Sequence, residues 1–132
     1  MIEKACPVVL RQRGGIEVMA FRHPLAGLQL VKGTIESREA PAAAALHELA
    51  EEAGITDARI SGRYGATLLA TDEYWHFFRV SVPELPDSWT HHAPDDGGYD
   101  FQFFWHPLGT PADDEWHPNF RAALAYIRDL AA

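Results

Sequence analysis

The stretch APAAAALHELAEEAG can settle into little but a helix, one that begins near Ala40 and stops at Gly54, and both of its ends are written in the chain. Pro41 brings a fixed φ to the first turn, where its missing N–H costs nothing, and the run Ala42 to Ala45 consists of the best helix former. Gly54 stands where a left-handed residue closes a helix. The flanking segments read differently. "ACPVVLRQR" and "IEVMAFRHP" are β-rich runs separated by Gly14-Gly15, a pair suited to a tight hairpin, and "LQLVKG" reads as a short third strand. "ARISGRYGATLLAT" and "EYWHFFRVSVP" read as two more, joined at Asp72-Glu73, and "FQFFWHPLG" as a further one. "HPNFRAALAYIRDLAA" closes the chain as an amphipathic helix with Phe120, Leu124, Ile127 and Leu130 on one side. Strands flanked by two helices predict a layered α/β domain with a mixed sheet.

Residues 83 to 99, PELPDSWTHHAPDDGGY, carry Pro, Asp and Gly without periodicity and read as a loop, of a length that is often functional. A chain of 132 residues, 47% hydrophobic and 23% charged, is expected to form one domain over 1–132. Cys6 is the only cysteine, so no intrachain disulfide and no cysteine-based metal motif can form; it reads as a small buried strand residue. The opening MIEKACPVVLRQR has an apolar run too short for a signal-peptide core, and no segment approaches a membrane span, so a cytoplasmic location is expected. A formal charge of -8 speaks against a nucleic-acid partner. An anionic small ligand would need a bridging cation.

The acidic residues of the first helix pose the sharper problem. Glu48, Glu51 and Glu52 span roughly a 100° arc, opposite Leu46, Leu49, Ala50 and Ala53. A solvated charged face is the ordinary meaning of such a pattern. Here it is costly. Glu48 faces Glu51 and Glu52 at i,i+3 and i,i+4, each pair unfavourable by roughly 0.2–0.5 kcal/mol. Glu51 and Glu52 also lie in the last turn, where the helix dipole disfavours anions by roughly 0.3–1 kcal/mol. No Lys or Arg within a turn on that face relieves them. A divalent cation reverses the sign of all these terms, because clustered carboxylates are hard oxygen ligands suited to Mg²⁺ or Mn²⁺.

Gly33, five residues, Glu39, seven residues, His47-Glu48-Leu49, one residue, Glu51-Glu52, one residue and Gly54-Ile55 together resemble the Nudix box, G-x5-E-x7-R-E-U-x-E-E-x-G-U with U aliphatic. Eight of its nine fixed positions match, and His47 stands in place of the arginine. The resemblance implies a Nudix-like α/β/α sandwich with a mixed β-sheet. It implies hydrolysis of a nucleoside diphosphate linked to another moiety, with water attacking a phosphorus of the pyrophosphate and a divalent metal, Mg²⁺ or Mn²⁺, assisting. Gly33, Glu48, Glu51 and Glu52 are the implied metal residues, with Glu48 either a ligand or the group that polarises the water. Glu39 is either the residue that organises the loop onto the helix or an ordinary early-helix acid. The family arginine orients a catalytic glutamate with a fixed fork of donors; His47 has two ring nitrogens and a charge that depends on pH. A working hydrolase is therefore set against a nucleotide-binding or regulatory module with weak or no turnover.

Other candidates lie outside the box glutamates. "VKG" resembles the "PKG" found among dinucleoside polyphosphate hydrolases, and Lys32 is a candidate phosphate contact, with a solvated loop lysine as the equal alternative. Arg22 is a phosphate candidate against the reading of a surface strand charge. Asp95, Asp96 and Glu73 could each bring another carboxylate, although DDGG is ordinary turn chemistry. Trp89, Trp75 and Tyr99 could stack on a base, core packing being the better reading for Trp75. The histidines show no zinc-ligand spacing. The expected partner is a small-molecule nucleotide, with no membrane; a homodimer is left open.

Overall fold

The chain crosses from one sheet to the other three times, and the first two crossings fall inside apolar runs that read locally as single strands. The computed structural model describes residues 1–69, 72–94 and 97–131. In ACPVVLRQR, β1 (Ile2–Val8) and β2 (Leu10–Gln12) part at Val9. β2 forms the expected hairpin with β3 (Ile16–His23), turned by Gly14 and Gly15 at positive φ, while β1 pairs elsewhere. In LQLVKG, β4 (Gly27–Gln29) pairs with β3; then, past the buried Leu30 and Val31, β5 (Gly33–Thr34) pairs with β1. Two expected strands are thus four, because a strand that changes sheets must break its ladder.

Among the described residues the strands form two sheets. The first runs β5-β1-β7-β6, with β6 (Arg59–Leu69) and β7 (Glu73–Ser81). β1 and β7 are parallel, Ile2 to Val8 lying against Glu73 to Arg79, and the other pairs are antiparallel, so this sheet is mixed as expected. The second runs β2-β3-β9-β8 with β4 also on β3, all antiparallel, and includes β8 (Trp89–Ala93) and β9 (Tyr99–Pro107). β8 corrects the reading of 83 to 99 as a loop. Its outward residues Thr90 and His92 are polar and its inward Trp89 and Ala93 apolar, a period-2 pattern hidden between prolines.

The helices α1 (Pro41–Ala53) and α2 (Pro118–Ala131) each cover one of two cores. The strands feed both by alternation. Ala5, Val9, Met19, Phe21, Phe78 and Val80 face the core under α1, and Cys6, Val8, Val18, Ala20, Trp75 and Phe77 face the one under α2. Leu49 of α1 and Ile127 of α2 are fully buried, each contributing roughly 1.5–3 kcal/mol. Trp75 and Cys6 are core residues as expected, and burial pushes the Cys6 thiol up, so no reactive thiolate forms there. Leu130 departs from expectation: Phe120, Leu124 and Ile127 are buried, but Leu130 is 46% exposed at the rim of an open cleft with Leu10, Ile16 and Tyr64. No helix among the described residues is long and apolar enough to cross a membrane.

Candidate metal and phosphate site

Helix α1 ends in a left-handed Gly54 (φ 74, ψ 16) whose N–H bonds the carbonyl of Ala50 at 3.0 Å. Its last turn carries no basic residue and holds both Glu51 and Glu52. Glu48, Glu51 and Glu52 open together onto a cleft of about 540 Å³, lined also by Lys4, His23, Lys32, Gly33, Thr34 and Glu36 among others. The box residues thus come to one place, with β5 and the end of β3 as the opposite wall.

Gly33 is required by the cleft's shape. A Cβ at this position would overlap the carboxylate of Glu48, so the side chain of α1 lies directly against the backbone of β5. Glu39 touches both the loop and the helix: its carboxylate accepts the N–H of Glu36 at 3.2 Å in the turn before the helix, and its other oxygen lies 3.7 Å from Nδ1 of His47. Nε2 of His47 is 2.9 Å from Oε1 of Glu51. His47 therefore stands between two carboxylates. The hydrogen bond to Glu51 and that carboxylate's charge hold its pKa above the ordinary histidine value, with Glu48 and Glu39 adding to the effect.

Relief for the acidic face comes from across the cleft as well as from His47 of the helix itself. Lys4 on β1 donates to Oγ1 of Thr34 at 2.7 Å. Burial and the nearby Lys32 ammonium hold its pKa below the usual lysine value, against the opposing pull of Glu73, Glu48 and Glu52. Two lysines and four carboxylates, those of Glu36, Glu48, Glu51 and Glu52, thus share one cavity. Lys4 and His23 are functional candidates that local patterns miss, because Lys4 reaches the site only through the pairing of Lys4 with Thr34 across β1 and β5. Phe101 is a third, and the His23 ring lies 5.2 Å from Phe101 and 4.8 Å from Tyr99, placing an aromatic group beside the charged one.

Other candidates are placed elsewhere. Arg22 and Trp89 line a separate cleft of about 450 Å³ with Ser88, Thr90 and Gln102. Arg22 pairs with Glu115 at 2.7 Å, and Trp89 stacks on Phe103 at 4.9 Å with 5° between the rings. Glu73 accepts the indole N–H of Trp75 at 3.0 Å and lines a neighbouring cleft that shares Lys32 and Gln29 with the acidic one. Asp95 and Asp96 lie outside the described residues. Among the described residues no three His, Cys, Asp or Glu side chains converge into a ready-made ligand shell. The glutamates share a cleft rather than a cage. An open arrangement of this kind fits a hydrated divalent cation, of the sort usually held by one or two carboxylates with water and substrate phosphates completing its shell.

A NUDIX domain model matches residues 3–126. A NUDIX hydrolase from Nitrosomonas europaea has a similar structure, with a TM-score of 0.62 at 16% identity, covering 96% of this chain and 68% of its own. An ADP-ribose pyrophosphatase from Streptococcus suis gives a TM-score of 0.64 at 12% identity, over 98% of this chain and 91% of its own. No curated protein matches the chain. At these identities the likeness to solved structures is one of fold.

Proposed function

The chain belongs to the NUDIX domain family, the family of the Nudix pyrophosphohydrolases, and on that premise we propose that it hydrolyses a phosphoanhydride bond in a nucleoside diphosphate linked to another moiety, with Mg²⁺ or Mn²⁺ as cofactor. The supporting observation is the single cleft in which Glu48, Glu51 and Glu52 face Lys4 and Lys32. Glu48, Glu51, Glu52 and the Gly33 carbonyl are the oxygen donors that would hold the ion. When bound, the ion supplies positive charge against the phosphate oxygens as the bridging bond breaks.

The residues of the chain do the remainder. Lys4 and Lys32 attract and fix the anionic pyrophosphate as point charges. A cleft carboxylate accepts the proton lost by the attacking water as its oxygen bonds to phosphorus and the bridging oxygen leaves with the departing phosphate. His47 hydrogen-bonds Glu51 and lies close to the Glu39 carboxylate, and so takes over part of the restraint for which the family uses an arginine. His23 and Phe101 give the cleft an aromatic side toward the nucleoside.

Dinucleoside polyphosphates are the first substrates to test, on the strength of Val31-Lys32-Gly33 and the position of Lys32 in the cleft. Nucleotide sugars, ADP-ribose and nucleoside triphosphates complete the panel. Turnover of at least one member that needs Mg²⁺ or Mn²⁺ and ceases in EDTA is the expected result. Nucleotide binding without turnover of any member would establish the regulatory-module reading instead.

A further inference from the structure

The last four carbonyls of a helix have no partner within it, and where they go decides how firmly its final turn is held. In α1 that turn carries Glu51 and Glu52. The Ala50 carbonyl accepts from the N–H of Gly54. Two of the others are served from outside the helix: Nε2 of His91 lies 3.0 Å from the Glu51 carbonyl, and the Trp89 indole N–H donates to the Ala53 carbonyl at 3.3 Å. Both come from β8, whose alternation turns Trp89, His91 and Ala93 toward α1 and whose register is fixed against β9 by the pairs of Trp89 with Phe103 and His91 with Phe101. The His91 ring also fills the space over Gly54, where a Cβ would lie 2.7 Å from Nδ1.

We propose that His91 and Trp89 are positioning residues for the proposed reaction: by capping the Glu51 and Ala53 carbonyls they fix the last turn of α1, and with it the bearing of the Glu51 and Glu52 carboxylates on the cleft. The inference rests on the function proposed above only in its catalytic consequence. The alternative source of order, a basic residue of the helix's own last turn, is absent from the sequence of α1. His91 acts as the Nε2–H donor, and Trp89 is held by its stacking on Phe103, so each donor is oriented by a second contact. A helix terminus built from acids and capped by a neighbouring strand ties β8 mechanically to the cleft.

The variants are His91→Leu, which removes the donor, His91→Gln, which can restore one, and Trp89→Phe, which keeps an aromatic ring against Phe103 and removes the N–H. Three readouts are taken on the full chain: amide exchange at residues 52–55 in EDTA, Mn²⁺ affinity by titration, and kcat with KM on the best substrate of the panel. In His91→Leu the expectation is faster exchange confined to the last turn, and Mn²⁺ affinity and kcat each reduced about tenfold with KM little changed, the scale seen when an outer support of a metal ligand is removed. His91→Gln recovers most of this, and Trp89→Phe shows a smaller effect of the same kind. Unchanged exchange, Mn²⁺ affinity and kcat in His91→Leu and Trp89→Phe, or a loss confined to global melting temperature, would overturn the proposal. If His91→Leu fails to fold, His91→Gln and Trp89→Phe decide by the same readouts. Amide exchange needs neither metal nor nucleotide, so a wild-type protein without turnover overturns the proposed function and still leaves the positioning measurable.

Discussion

The two helices are nearly equal in length, 13 and 14 residues, yet they end in opposite ways. α2 carries Arg128 in its last turn, a charge that suits the negative end of its dipole. It opens with His117 accepting the N–H of Asn119 on Nδ1 at 3.2 Å. α1 has no side-chain cap at Ala40, no basic residue in its last turn, and two glutamates there instead. α2 sets Arg128 beside Asp129 in its last turn, whereas α1 has two acids and no base there and leans on His47, β8, Lys4 and Lys32 for support. Local rules are broken where a site is made, and the compensation comes from distant parts of the chain.

The most damaging test of this contrast is Glu52→Gln. Metal-dependent turnover should fall by at least about a hundredfold, the low end of what an acid–base or metal-binding carboxylate contributes. A rise in melting temperature with Mn²⁺, expected in the wild type and worth about 2.7 kcal/mol at a concentration a hundred times Kd, should be absent from the variant. Activity retained in this variant would remove α1 from the site. Ile127→Ala is the counterpart in α2: it should cost about 2–5 kcal/mol by denaturant melting while Mn²⁺ affinity in the folded protein stays at the wild-type value.

Gly33→Ala comes next. The methyl group displaces the Glu48 carboxylate, and overpacking of this kind costs about 1–3 kcal/mol, with a fall in kcat that Ile127→Ala does not show at temperatures where both are folded. His47→Arg should raise turnover, since a planar fork holds the carboxylates more firmly; a drop would reveal a role specific to histidine. The same variant changes the response to pH. Because Glu51 raises the His47 pKa, the stability this group contributes is complete below the ordinary histidine value and is lost as pH climbs through the raised one. Melting curves in EDTA should show that loss in the wild type and not in His47→Arg. The smallest effect is expected from Arg128→Gln, about 0.3–1 kcal/mol of stability with the cleft untouched.

What could be read from the sequence was what local chemistry dictates. Pro41 and Gly54 mark the helix limits, the β2–β3 hairpin turns at Gly14-Gly15, and the spacing of Gly33, Glu48, Glu51 and Glu52 puts them on one cleft. Two kinds of feature escaped. Sheet changes at Val9 and across Leu30 to Lys32 leave no mark in an apolar run, since buried strands and buried crossings use the same residues. Long-range pairings bring Lys4 to Thr34 and the Trp89-His91-Ala93 face to α1, and no window along the chain contains both partners. β8 was legible in principle from its alternation, but Pro83, Pro86 and Asp87 before it and Asp95 to Gly98 after it read as punctuation. Arg22, chosen as a neighbour of the site, lines another cleft because successive residues of β3 face opposite ways and His23 is the one turned to the acidic cleft; Trp89, chosen to stack on a base, lines that other cleft as well.

Strands β1, β3 and β7 give alternate residues to the two halves of the interior, so neither half can melt by itself. Warming this protein should therefore extinguish catalysis and tertiary structure over one temperature interval, with no softened yet folded intermediate in which the cleft has failed first.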